Sequence, residues 1–131
     1  EEFWTGVRYY QGNRSPNAAE RETVGYSRAW LHHKGRNKHH YEYWIDISSH
    51  KEEGLVGNKM PLRYVAEMVC DRIAACEVYK GKAYTYEYTK NYITIHPQTR
   101  ALLEKLLHML KDQGEETAFA YLRKLLKKGT Y

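Results

Sequence analysis

Four of the seven histidines fall within nine residues, in the string His32-His33-Lys34-Gly35-Arg36-Asn37-Lys38-His39-His40. Neutral imidazole is a ligand for Zn, Fe, Ni, Mn and related ions. Adjacent histidines on a helix point about 100° apart, so one of each pair faces a given site. Two His-His pairs on either side of a tight turn at Gly35 can therefore converge from two helix ends. The run is internal and interrupted, unlike a purification tag. Lys34, Arg36 and Lys38 interleave with the histidines. Like charges oppose a bound cation, and the same basic loop can hold a phosphate instead. On these residues alone, metal ligation and a wet basic loop both stay open.

A histidine metal site commonly takes carboxylates as well. Glu67 and Asp71 are one helical turn apart and share a face with Ala74 and Val78. The competing reading is salt bridging, because Arg63 precedes Glu67 by four residues and Arg72 adjoins Asp71. Glu42 and Asp46 form a second pair at the same spacing, with a plain surface pair as its alternative. If the substrate carries phosphate, Lys34, Arg36 and Arg72 are the candidates to neutralise it. Other constellations fail. Gly35 stands alone, so there is no Gly-rich phosphate loop, and no HExxH occurs. A nucleophilic cysteine needs a neighbouring base, and Cys70 sits mid-helix beside Glu67 and Asp71.

The elements that position these residues follow from periodicity. Residues 1–11 read as the end of a helix and 12–17 as a loop. A helix is expected over 18–34, weakened by Gly25, and a short one over 38–48. A polar link covers 49–60. Pro61 suits a first helical position, and Leu62, Val65, Val69, Ile73 and Cys76 form an apolar stripe along a helix 61–79. In 82–96, Tyr84, Tyr86 and Tyr88 alternate with polar residues. Such a segment is an extended loop or small hairpin, able to stack on bases or to pack over a core edge. Helices over 97–112, rich in leucine, and 115–128 complete the chain. The expected fold is all-α, a compact helical bundle forming a single domain over 1–131.

Composition narrows the classes. Of 131 residues, 42% are apolar and 14% aromatic, which excludes a disordered chain. No apolar run reaches the roughly 18 residues that span a bilayer, so no membrane partner is expected, and no secretory signal is visible. Cys70 and Cys76 would lie about 9 Å apart along one helix, too far for a disulfide. Free thiols suit a cytoplasmic location. A formal charge of +5 fits a nucleic acid, nucleotide or other phosphate-bearing partner, or simple solubility. Much of the excess lies at Arg123, Lys124, Lys127 and Lys128, where a helix C-terminus also favours cations.

The strings Tyr10-Gln11-Gly12-Asn13-Arg14-Ser15-Pro16 and Gly25-Tyr26-Ser27-Arg28-Ala29-Trp30-Leu31, running on through the histidine cluster to Tyr43-Trp44, resemble an uncharacterised bacterial family, a domain of unknown function. The segment Met60-Pro61 through Ala75 belongs to the same pattern, and the likeness covers about residues 3–105. It implies a fold family more than an activity. A second likeness carries more chemistry. His-His followed by Glu67-Met68-Val69-Cys70-Asp71-Arg72-Ile73-Ala74-Ala75 is similar to the later half of HD-domain phosphohydrolases, which are all-α metalloenzymes. That resemblance implies a divalent transition metal (Mn, Fe, Ni or Zn), with Asp71 as the last aspartate. It places His39 and His40 as the later His-His pair, His32 and His33 being the competing choice. No His-Asp dipeptide occurs in this chain. Together with the helix-interior look of Glu1-Glu2-Phe3-Trp4, this leads to the expectation that the first helices are missing. Two functions are carried forward. One is a metal-dependent phosphohydrolase acting on a nucleotide or other phosphoester. The other is a non-enzymatic helical module binding nucleic acid or a protein partner.

Overall fold

A computed structural model describes residues 15–50, 52–79 and 94–131. The expected helix over 1–11 and the tyrosine-rich part of 82–96 up to residue 93 lie outside the described residues. The chain divides into two compact units, with the boundary after Lys38.

In the first unit, the single helix expected over 18–34 is two helices, α1 (Pro16–Val24) and α2 (Arg28–Arg36). Gly25 makes the break. It takes φ 87°, a left-handed conformation that costs a glycine little, and its N–H caps α1 by donating to the Arg21 carbonyl at 2.8 Å. Ser27 then starts α2, its hydroxyl accepting from the Trp30 N–H at 3.1 Å. The same hydroxyl donates to Glu20 Oε2 at 2.6 Å. Asn17, Glu20 and Ser27 are all buried, so a small polar core joins α1 to the start of α2. Ser27→Ala removes a helix cap and a donor to a buried carboxylate together. Urea unfolding is expected to report a loss of about 2–3 kcal/mol. A loss below about 0.5 kcal/mol would show that this polar core carries no stability.

The second unit is mainly helical. It begins with a 3-10 helix (Tyr41–Trp44), followed by strands β1 (Ile45–Ile47) and β2 (Leu55–Gly57) and helices α3 (Leu62–Tyr79), α4 (Pro97–Gln113) and α5 (Glu115–Lys128). The short helix expected over 38–48 is thus replaced by one 3-10 turn and a strand. β1 and β2 pair antiparallel, with Ile45 opposite Gly57 and Ile47 opposite Leu55. The fold is therefore predominantly helical with a two-stranded sheet, which amends the all-α expectation. Two strands of three residues are too short to show a period, and β2 lies inside what reads as a polar link.

The apolar stripe along α3 behaves as expected. Leu62, Val65, Val69 and Ile73 are buried with Met68 against Leu102, Leu103, Leu106, Leu107 and Leu110 of α4 and Ala118 and Leu122 of α5. Cys76 is half-buried and Cys70 exposed, and both are free thiols. Gly114 alone links α4 to α5. Glu115 and Glu116 at the start of α5, and Lys127 and Lys128 at its end, complement the helix dipole.

A closed ring of hydrogen bonds fastens Tyr131 to this core. The Met60 N–H donates to Thr99 Oγ1 at 3.1 Å, Thr99 Oγ1 lies 2.7 Å from the Tyr131 hydroxyl, and that hydroxyl donates to the Met60 carbonyl. Lys59 adds a bond from Nζ to the Tyr131 carbonyl at 2.9 Å and stands over the ring at 4.5 Å. Burial raises the Tyr131 phenol above the ordinary tyrosine value of 10.0, partly offset by the hydrogen bond from Thr99. A raised folded-state value means that folding favours the protonated phenol. This stabilisation is fully present below about pH 10 and is lost as pH climbs through the folded value. Tyr131→Phe is expected to cost about 1–2 kcal/mol at neutral pH and to flatten the stability decline above pH ~10. Urea midpoints measured between neutral and alkaline pH check both. An unchanged alkaline limb would contradict the assignment.

Candidate metal centre

The unit boundary falls inside the histidine string, leaving His32 and His33 on α2 and His39 and His40 at the start of the second unit. Burial separates the four. His33, His39 and His40 are half-buried, whereas His32 is exposed.

On α2, the Trp30 and His33 rings are 5.8 Å apart, and the Arg21 guanidinium stands 5.2 Å over the Trp30 ring. Asn37 caps the helix. Its backbone N–H donates to the His33 carbonyl at 3.1 Å and its side-chain amide to the same carbonyl at 2.8 Å. The amide nitrogen also lies 3.2 Å from His33 Nδ1. Asn37 is not among the residues that type and spacing singled out. The available signal was its position four residues after His33, one helical turn away on the same face.

His39 and His40 are brought together in the second unit, with ring centroids 4.3 Å apart and planes tilted by 43°. The Nε2 atoms of both rings are closed to solvent. The next few residues of the chain hold them in place. The His40 carbonyl accepts from the Tyr43 N–H at 3.1 Å, which starts the 3-10 helix. Tyr41 and Trp44 pack against the helical core, and Trp44 meets the Tyr64 ring of α3 at 5.7 Å. The Trp44 carbonyl accepts from both the backbone and the side-chain amide of Asn58, at 2.8 and 3.1 Å. The His-His pair is therefore carried on a short segment pinned to α3 and to the residue after β2.

The expected carboxylates stand apart from this arrangement. Glu67 and Asp71 are both exposed on α3, and neither belongs to a group of three metal-ligating side chains among the described residues. Arg63, the candidate ion-pair partner of Glu67, donates from Nη2 to the Tyr64 hydroxyl at 2.7 Å, with its guanidinium over that ring. Glu42 and Asp46 lie on different elements, the 3-10 helix and β1, and Asp46 accepts from the Ile47 N–H at 2.7 Å. Among the basic candidates, Arg36 is exposed and Lys34 half-buried, while Arg72 is buried at 8% exposure. Arg36 and Lys38 keep their charges in water, where screening weakens their repulsion of a nearby cation. Among the described residues no helix is long and apolar enough to cross a membrane.

The paired imidazoles of His39 and His40 suit a borderline transition-metal ion better than a hard cation, which would take oxygen ligands. No curated protein and no solved structure matches the chain. Residues 1–109 match a family of unknown function, DUF5662, in agreement with the resemblance carried by the histidine string, and the chain belongs to that family.

Proposed function

We propose that His39 and His40 ligate one divalent transition metal ion (Mn, Fe, Ni or Zn) and that the site hydrolyses a phosphoester, such as a nucleotide. The observation that carries the reading is the pairing of the half-buried His39 and His40 rings, 4.3 Å apart, with Nε2 of both closed to solvent. A bound ion supplies Lewis acidity toward a phosphoryl oxygen. Lys34 and Arg36 neutralise phosphate charge from the same short stretch of chain. The likeness to HD-domain phosphohydrolases supports the phosphoester substrate by analogy and offers Arg72 as a further cation, whereas Asp71 and Glu67, exposed on α3, are left out of the ligand set. The free thiols of Cys70 and Cys76 suit a cytoplasmic protein.

The full chain, loaded in turn with Mn, Fe, Ni and Zn, is expected to release phosphate from a panel of nucleotides and a generic aryl phosphoester. Lys34→Ala with Arg36→Ala is expected to raise KM at least tenfold, each lost charge-assisted bond being worth about 1.5–3 kcal/mol. Absence of turnover with every metal would reject the hydrolase. A second reading rests on the exposed Arg123, Lys124, Lys127 and Lys128 toward the end of α5. It makes the protein a nucleic-acid-binding module. Oligonucleotide binding that weakens steeply with salt and is unaffected by metal would favour it.

A further inference from the structure

We infer that the outward face of α2, with Tyr26 in the turn before it, binds a single-stranded nucleic acid. Arg28, His32 and Arg36 meet the phosphates, and the Tyr26 ring stacks on a base. This face belongs to the first unit by itself, and binding there needs no metal. α2 has two sides. Ala29 is buried and Trp30 and His33 are half-buried, whereas Arg28, Leu31, His32, Gly35 and Arg36 are all exposed. Residues four apart on a helix lie one above the other, about 6 Å apart along the axis. Arg28, His32 and Arg36 therefore form one ridge about 12 Å long. α2 carries no acidic residue. Among the described residues, the guanidinium groups of Arg28 and Arg36 enter no ion pair.

Charge selects the partner. Across residues 15–38, Arg21, Arg28, Lys34, Arg36 and Lys38 stand against two carboxylates, and one of these, Glu20, is buried with the Ser27 hydroxyl on it. A face with this excess attracts a polyanion. Guanidinium groups take phosphate through two parallel N–H donors and also lie flat against bases. Tyr26 is 51% exposed, and among the described residues its ring meets no other ring and no cation. An exposed aromatic beside a cationic track is how single strands are held, with bases on the ring and phosphates on the charges. Gly35 shares the face, and a Cβ there would meet nothing within 4 Å. Its bareness serves no packing inside the protein and leaves the helix backbone open to close approach. An acidic peptide would answer the charge but would leave Tyr26 without a role.

The test is fluorescence anisotropy of a labelled oligothymidylate titrated with the full chain over a salt series. The logarithm of affinity is expected to fall against the logarithm of salt with a slope of about −1.4 or steeper, each arginine–phosphate contact supplying about 0.7. Arg28→Ala and Arg36→Ala are each expected to flatten the slope by about 0.7. Tyr26→Ala should weaken binding about fivefold or more with the slope unchanged, and Tyr26→Phe should restore it. Gly35→Glu, which sets a negative charge into open space on the face, should weaken binding more than about tenfold, and Gly35→Lys should tighten it. Urea midpoints check that each variant is folded. No binding at about 50 mM salt, a slope unmoved by both arginine variants, or equal binding of a polyglutamate of matched charge overturns the inference. A loss confined to Lys127→Ala with Lys128→Ala also overturns it and moves nucleic-acid binding to the end of α5. Arg28 and Tyr26 have no part in the hydrolase reading, so failure here is distinguishable from failure of His39 and His40 to take a metal.

Discussion

His40→Ala and His39→Ala are each expected to lower the affinity for a divalent transition metal by more than about 100-fold, the upper range for losing a mere outer-shell partner of a ligand. His32→Ala should change affinity by less than about threefold. The ranking follows from burial. His39 and His40 are half-buried and present ring nitrogens closed to solvent, whereas His32 is exposed. Competition titration against a chromogenic chelator reads all three variants. An equal loss at His32 would point to a diffuse basic loop with no defined centre. Asp71→Ala serves as the discriminating variant for the HD-domain analogy. Asp71 is exposed and joins no ligand group among the described residues, so its loss is expected to leave zinc affinity within about threefold. A 100-fold loss there would move the centre onto α3.

The second large effect is on stability. A Cβ placed on Gly57 would lie 1.8 Å from the Thr94 carbonyl oxygen, 2.7 Å from the His96 nitrogen and 2.9 Å from the Ile95 carbonyl carbon. All three are backbone atoms, so no side chain can swing aside. β2 must move away from the segment that leads into α4. Gly57→Ala is therefore expected to destabilise the second unit by about 3 kcal/mol or more, in the range of severe overpacking. Asn58, the next residue, holds the Trp44 carbonyl with two hydrogen bonds, and Trp44 anchors the segment that carries His39 and His40. Weaker metal binding should accompany the loss of stability. Urea unfolding and the same chelator competition read both quantities. A stability change within about 0.5 kcal/mol would show that the close approach is not a constraint.

The helical part of the second unit was readable because its pattern is long. Leu62, Val65, Val69 and Ile73 recur at helical spacing over several turns, and the leucines of α4 do the same, so burial of one face follows from period alone. Gly114 and Gly129 likewise mark helix ends by residue type. The β-hairpin was not readable. Its strands are three residues each, and a backbone-to-backbone approach at Gly57 seats it, which no side-chain pattern announces. Gly25 reads as a weakness in one long helix, but the division needs Ser27 as well, whose hydroxyl caps α2 and binds Glu20 across the turn. That contact depends on the turn itself. At the candidate centre, residue type and clustering pointed to the four histidines, whereas rank among them required burial. The Asn37 contact was hidden because it needs a side chain folded back one turn onto His33, in a string where its charged neighbours are the more conspicuous residues.

The hydrolase and the ranking of the histidines both require a transition metal on imidazole nitrogens of this chain. X-ray absorption at the metal edge of the zinc-loaded full chain decides whether it is there. The expected result is one tightly held ion per chain, with nitrogen neighbours at about 2.0–2.1 Å and the outer-shell scattering of several imidazole rings. Sulfur neighbours at about 2.3 Å, an all-oxygen shell, or less than about a tenth of an ion per chain after dialysis would contradict it.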